Sequence, residues 1–562
     1  MKEKHGLSVY IVCLLSIFFI LSFQTGFADD LDKPVNKTGH ESYILPEPYV
    51  STGFPQVVVV SGSNYEMGMQ YGEQTALATV HNLAIFKSKL YSKVKGGEKT
   101  VTNDMRAWNY FLIKYDPTLK EWIDGIKQGC ENMGYSVSYD DLVLIMVYPS
   151  ELWSRPVNDY PPEITKNPGK NNIGYTIKSS ERSYHSCNSF AATGSATPDG
   201  KPLHAITQMA ETEMMNNIIL IAFPETGYSF ISQTFAGRVN ANSAMNSNGF
   251  AWTMTAIPAD SPAWGLTEVY FHYLAQIASS PTDAIKYLEN TPRGGEAGGF
   301  IFSDAKGIEA FETNTSKYSI RSPTGGNGFL VQTNHLVDPD LASYNPVWGD
   351  ELGTRQRYDT LYQFLKEAEP GSIDMEFAKR ILASSDWFEK SKNTWHRNNP
   401  GVGFLSNDHT SVSESIFSPA DLTAYLATGT PSGNGIPAYA TGEYVKIKLA
   451  TVPKRVVDRT DSDTIKCYWK SADLFEKEMN TIPTPGYLTP FLVEKVQELL
   501  DKSMTSYSIG IDRAAYAYLE KDIKKSNALW GAAMTHFAKA QLYAKMAGTA
   551  LHRAIKGDAA KF

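Results

Sequence analysis

Cysteine is scarce. Only four occur in 562 residues. Cys13 lies in the apolar stretch near the start, which leaves Cys130, Cys187 and Cys467. Three is an odd number and no disulfide framework, so at least one thiol stays unpaired within a single chain. A basic run is also missing. Fifty-two Lys and Arg stand against 60 Asp and Glu, for a net charge of −8. That balance argues against nucleic acid as the main partner. Beyond Phe23 no apolar run is long enough to span a bilayer, so no stable membrane insertion is expected after the leading segment. Familiar catalytic signatures are absent as well. There is no Gly-x-Ser-x-Gly elbow, no Gly-rich phosphate loop ending in Lys-Ser/Thr, no His-Glu-x-x-His and no Cys-x-x-Cys. The 11 histidines are scattered, and the spacing of His335, His396 and His409 demands no metal. No metal or other cofactor is expected.

What is present is ample apolar material, 42% hydrophobic and 12% aromatic, enough for a large core. Residues 1–28 read as a secretory signal: Lys2 and Lys4, an apolar run from Val9 to Phe23, then Gly26 and Ala28 as small residues. Cleavage near Ala28 and an exported protein, periplasmic, extracellular or lumenal, are the expectation.

The chain reads as a strand at 54–62 and as helices over 64–94, 119–134 and 139–153. The segment 139–153 follows a cap at Ser138 or Asp140. Residues 156–182 are rich in Pro, Gly, Asn, Lys and Ser and read as an exposed loop. From Cys187 onward, β-rich runs alternate with turn residues, followed by helices and closing strands. From about 486 the pattern is helical. Strands, helices and strands again suggest a layered α+β core. The helical end reads as packed core, with a separate domain or a dimerisation element of a homo-oligomer as the alternatives. The segments divide at 29–186, 187–460 and 461–562.

The stretch SYHSCNSFAATGSATPDGKPL, residues 183–203, puts Cys187 at the mouth of a strand, directly after the exposed loop. A buried cysteine is usually only a small hydrophobe, and that reading serves Cys130 and Cys467. Cys187 admits another. A cut between Ser186 and Cys187 would create an α-amine with a reference pKa of about 7.7–8. That amine can act as the base for the thiol on its own residue. The thiol could also make the cut itself, by attacking the Ser186 carbonyl.

Several pieces then fall in a familiar order. They are GSNYEMGMQYGEQ at 62–74, GCENMGYSVSYDDLVLIM at 129–146 and the Cys187 strand. AMNSNGFAW at 244–252, VQTNHL at 331–336 and TRQRYDTL at 354–361 follow. Together, over roughly 55–450, they resemble the acyl-coenzyme A:6-aminopenicillanate acyltransferase family (peptidase family C45) of N-terminal nucleophile hydrolases. The resemblance implies a four-layer αββα sandwich with an added C-terminal helical region, and self-cleavage before Cys187. It implies Cys187 as nucleophile, Asn246 as oxyanion donor, Asn334 as holder of the terminal amine or of the tetrahedral intermediate, and Arg357 as electrostatic support. The chain departs from the family at the strand after the nucleophile, LHAITQMAETE. The family's Arg-x-x-Asp would fall near Ile206 and Met209, and Thr207, Gln208 or Glu211 are the available substitutes.

The reading is an exported, self-processing cysteine amidohydrolase or acyltransferase for a small acyl-amide or short peptide. Glu211, Pro262 and Trp264 are candidates for the substrate pocket. The rivals are a phospholipase B-like ester hydrolase and a non-catalytic binding protein that kept the fold.

Overall fold

The computed structural model describes residues 56–156, 160, 186–209, 217–239, 243–257, 262–267, 270–295, 297–323, 326–345, 353–382, 384, 386–397, 411–428, 443–481 and 483–557. The expected signal at 1–28 and most of the loop before Cys187 lie outside them.

Strand β1 (Gln56–Gly62) buries Val57, Val58, Val59 and Val60, so both its faces must be covered. Four helices follow. In α1 (Asn64–Lys93), Ser63 accepts from Glu66 N while the Glu66 carboxylate returns to the Ser63 backbone, a reciprocal capping box. Next come α2 (Gly97–Tyr115) and α3 (Pro117–Asn132). Helix α4 (Tyr139–Trp153) starts at Ser138, and Asp141 closes its box. Helices α1 and α3 cross at glycine pairs spaced four apart. A Cβ on Gly68 would sit 2.2 Å from the Trp122 carbonyl oxygen, and one on Gly129 2.2 Å from that of Met69. Gly72 and Gly125 are equally tight, so the two backbones touch and no side chain fits between them.

The first sheet has eight strands in the order β1, β4 (Asn217–Pro224), β5 (Phe230–Phe235), β6 (Ser243–Asn246), β7 (Ala251–Ile257), β8 (Ala297–Ser303), β9 (Ile308–Thr313), β10 (Tyr318–Arg321). Only the β1–β4 pair is parallel. The second sheet is antiparallel: β11 (Phe329–Gln332), β2 (Ser186–Gly194), β3 (Gly200–Met209), β14 (Ser411–Ser418), β15 (Thr423–Thr428), β16 (Tyr444–Lys448). A small hairpin, β12 (Trp387–Glu389) with β13 (Thr394–His396), stands apart from both.

Three packed interfaces make four layers. Helices α1–α4, with α5 (Tyr270–Gln276) and α6 (Pro281–Glu289), cover one face of the first sheet, where Phe86, Trp108 and Trp122 share a core with Trp252 and Phe300. Helices α7 (Thr354–Lys366) and α8 (Met375–Leu382) cover the outer face of the second sheet, packing Leu361, Leu365 and Ile381 on Phe190 and Ile416. The sheets meet through Val57, Ile219, Ile231, Phe417 and Leu426. Polar contacts join them too, including Ser189 Oγ to Thr253 Oγ1 at 2.6 Å. The fold is α+β, an αββα sandwich.

Three long helices close its open side: α9 (Pro453–Met479), α10 (Pro490–Leu519) and α11 (Ile523–Ile555). Trp530, Met534 and Phe537 of α11 join the inter-sheet core. Val57 N donates to Thr535 Oγ1 at 3.0 Å, and Lys446 N donates to Gln541 Oε1 at 3.2 Å. One helix thus covers both β1 and β16, one edge strand of each sheet. Among the described residues no helix is long and apolar enough to cross a membrane.

Candidate active site

Strand alternation places the nucleophile candidate. Ser189 of β2 meets Thr253 of the opposite sheet, so Cys187, two residues earlier, faces the same inter-sheet space. Cys187 is 1% exposed. None of Cys130, Cys187 and Cys467 forms a disulfide. Burial pushes the Cys130 thiol up to about 12 and raises Cys467, so neither is poised to react.

The pairing of β11 with β2 ends at Gln332 opposite Ser189. Beyond it the chain turns, and a side chain takes over from the ladder. The Cys187 backbone N–H donates to Asn334 Oδ1 at 2.8 Å. In the continuous chain this nitrogen is a peptide N–H. It stands where the α-amine of a cut chain would be. Asn334 is buried, and its Nδ2 donates to the Ala256 carbonyl of β7 at 2.6 Å, so its orientation is fixed from both sheets.

Arg357, on α7, completes the arrangement. Its Nη1 donates to the Cys187 carbonyl at 2.9 Å and to Asn188 Oδ1 at 2.6 Å. Its Nη2 donates to Asn334 Oδ1 at 2.9 Å. A guanidinium 3% exposed therefore grips the backbone on both sides of the Cys187 Cα, directly and through Asn334. The planar fork of arginine suits this multiple contact as a lysine would not.

The other candidates lie elsewhere. Asn246 ends β6, where its Oδ1 accepts from Asn248 N and Phe250 N and its Nδ2 donates to the Ala278 carbonyl at 2.8 Å. Its oxygen is committed to the β6–β7 turn and its nitrogen to the chain after α5. Trp264 packs against Trp108 and Tyr160, with ring centroids 4.7 and 5.4 Å away, over the outer helical layer. Pro262 is half-buried in the same loop. Glu211 lies outside the described residues.

His335 and His204 are both committed to other partners. His335 is locked to Thr333 and Thr354, and burial with the nearby Arg355, Arg357 and Arg321 pushes it down to about 3. His204 is held by Ser303 and Thr253, and burial pushes it down to about 3. Among the described residues no group of three or more His, Cys, Asp or Glu could hold a metal ion.

Sequence reasoning missed the polar row behind the site. Across the second sheet Asn188 pairs with Thr207, and Thr207 with Glu414. Thr207 Oγ1 donates to Glu414 Oε1 at 3.1 Å, and Tyr444 OH donates to Glu414 Oε2. Burial and the Glu414 carboxylate hold the Tyr444 hydroxyl far above its usual range, so it remains a donor. Ser413 and Glu414 sit in a strand, SVSESIFS, whose polar residues hid it.

With this geometry in view, the comparisons with known proteins fall into place. Residues 201–432 match the family model described as acyl-coenzyme A:6-aminopenicillanic acid acyl-transferase. The match is to the family that the sequence resembles. The acyl-transferase span takes in Asn246, Asn334 and Arg357 and begins after Cys187. An uncharacterized protein of Archaeoglobus fulgidus is 24% identical over 365 residues, which is 58% of this chain and 56% of that one. The chain thus spans little more than half of that relative's length. Among solved structures, a Caenorhabditis elegans N-acylethanolamine-hydrolyzing acid amidase ortholog is similar at 16% identity and a TM-score of 0.30, covering 42% of this chain and 93% of its own. A variant of conjugated bile acid hydrolase from Clostridium perfringens is similar at 13% identity and a TM-score of 0.29, covering 47% and 98%.

Proposed function

We propose that this chain is a thiol amidohydrolase or acyltransferase of the N-terminal nucleophile type, with Cys187 as nucleophile. The observation that carries this reading is the joint hold of Asn334 and Arg357 on the backbone of Cys187. A strand-end N–H needs only one acceptor. Here it has a carboxamide that is itself clamped by a buried cation and by the opposite sheet.

Maturation would begin with the Cys187 thiol attacking the Ser186 carbonyl. The C–N bond to Cys187 breaks, the Cys187 nitrogen takes the proton, and a thioester links Ser186 to Sγ. Water hydrolyses that thioester and leaves a carboxylate on Ser186 and a free amine on Cys187. The amine still donates to Asn334 Oδ1. The nearby Arg357 charge disfavours its ammonium form, which keeps it available as a base.

In turnover the amine takes the thiol proton while sulfur attacks the acyl carbonyl of an amide. The amine then passes that proton to the departing nitrogen, giving an acyl thioester and a free amine product. Water yields hydrolysis, and an acceptor amine yields transfer. The substrate class is a small acyl-amide or a short peptide.

Export and cleavage near Ala28 belong to the same proposal, since a signal-like start motivates them. N-terminal sequencing of protein made with its leader should read from about Asp29. A start at Met1 would refute it.

The function is tested by intact mass and denaturing gel on the protein and its Cys187→Ala variant. Two chains, the larger starting at Cys187, are expected from the first and one chain from the second. Turnover of amides but not of lipid esters should follow. Preferential release of fatty acid from a phospholipid would instead favour the ester-hydrolase reading. An intact chain with an inert Cys187 would favour a binding protein.

A further inference from the structure

Gln208 lies directly across from Cys187 in the β2–β3 ladder. Residues so paired point to the same face, with Cβ atoms about 4.5–5.5 Å apart. Both therefore enter the space between the sheets. Gln208 is 5% exposed. Ser413, on the strand to the far side of Gln208, donates its hydroxyl to Gln208 Oε1 at 2.9 Å. That bond turns the oxygen end of the carboxamide toward β14 and leaves the nitrogen end over. Gln208 Nε2 is buried and has no hydrogen-bond partner among the described residues.

A buried amide N–H left unpaired is costly, because it loses its hydrogen bonds to water and gains none in return. Such groups are few in native proteins, and each calls for a reason. Here the reason is its neighbour. Asn246 spends its amide donor on the Ala278 carbonyl, which leaves the oxygen of a tetrahedral intermediate at Cys187 in need of another side-chain donor. A fixed, desolvated, neutral N–H beside the nucleophile meets that need, because it does not have to reorganise when charge develops.

We propose that Gln208 Nε2 is a catalytic hydrogen-bond donor to the carbonyl oxygen of the acyl substrate as sulfur attacks it, with Ser413 as the positioning residue that aims it. The proposal rests on the reading of Cys187 as nucleophile. It also narrows the substrate. Gln208 and its partner Ser413 are both uncharged, so this wall of the site offers no salt bridge. It suits an uncharged acyl group.

The test uses the mature protein, Gln208→Met and Gln208→Leu, each checked for an unchanged melting temperature. Acylation of Cys187 by p-nitrophenyl acetate passes through an oxyanion and is followed by peptide mass. Disulfide formation with methyl methanethiolsulfonate at the same thiol involves no carbonyl. Acylation should slow about 10²–10³-fold in whichever variant folds, the usual effect of losing one such donor, with thiosulfonate modification unchanged. Equal acylation rates in a folded variant and the parent would overturn the role of Gln208 alone. So would a parallel loss of both reactions, which marks a disturbed thiol instead. If the parent itself is modified by the thiosulfonate but never acylated, the nucleophile reading fails and Gln208 falls with it.

Discussion

Arg357 Nη2 and the backbone nitrogen of Cys187 donate to one and the same atom, Asn334 Oδ1, from 2.9 and 2.8 Å. A cation and the prospective base of the site thus share an acceptor. Replacing Arg357 by Lys keeps a charge but cannot reach the Cys187 carbonyl, Asn188 and Asn334 together. Turnover of a small amide should fall by at least about tenfold, and stability by about 1.5–3 kcal/mol, the range for a hydrogen bond to a charged group. Steady-state kinetics and urea unfolding check both.

The same closeness sets a pH dependence. The Cys187 amine works as a base only when neutral, so the rate should rise with pH through its pKa. Arg357 disfavours the ammonium form. In Arg357→Gln that opposition is gone, the amine holds its proton more tightly, and the acidic limb of kcat/KM should move to higher pH. A limb that stays put, or moves down, would separate Arg357 from the base.

Two histidines bear on acid stability. Burial holds His204 and His335 neutral, each down to about 3. In the unfolded chain both titrate near 6.5. Below that pH the unfolded state binds protons that the folded state refuses, so stability is full above about 6.5 and declines toward 3. Urea midpoints measured across this range should fall with pH, and His204→Gln should flatten the slope.

A second buried cluster makes a contrasting pair of variants. Arg155 donates from Nε and Nη2 to Asp104 at 2.6 and 3.0 Å, and Tyr160 adds a bond at 2.7 Å. Glu151 lies alongside. Burial, then the Asp104 charge, lifts its carboxyl well above the usual range, so it keeps its proton. Glu151→Gln should therefore change stability little. Asp104→Asn strands the Arg155 charge and should cost about 3–5 kcal/mol. Thermal unfolding of the two variants distinguishes them.

The glycine crossing of α1 and α3 predicts that Gly72→Ala is destabilising by about 1–3 kcal/mol, as overpacking commonly is. Its Cβ would stand 2.4 Å from the Ile126 carbonyl oxygen. Gly486→Ala is the control, because a Cβ there meets nothing within 4 Å. Denaturant midpoints should move for the first and not for the second.

How much of this was legible beforehand depends on the kind of signal. Val57–Val60, the Ser138 cap and the run from Phe230 to Phe235 announce their structure through local pattern, and they form it. Strand β14 does not, because Ser413, Glu414 and Ser415 find their partners across the sheets. Helix α2 also escaped notice, though Val101, Met105, Trp108 and Leu112 form a buried stripe. Tyr270–Gln276 and Pro281–Glu289 are two short helices instead of one long one, since Ser280 caps a new start and Pro281 cannot continue an old one. At the site, residue type and position suggested Cys187, and the family resemblance implied Asn334 and Arg357. Only the sheet register reveals that Gln208 stands opposite the thiol. No local pattern shows that the Asn246 carboxamide is shared between its own turn and the distant Ala278 carbonyl.

Consider finally where β1 sits. It runs beside β4 over seven residue pairs, and its Val57 and Ser61 are bonded to Thr535 and Asn527 of α11. A break before Cys187 would leave β1 on the shorter piece and both neighbours on the longer. The shorter piece would be gripped from either side, along a backbone ladder and a helix. Two polypeptides would then elute, diffuse and melt as one body. Native sizing would be blind to maturation, and only a denaturant would disclose that the protein had become a heterodimer of its own halves.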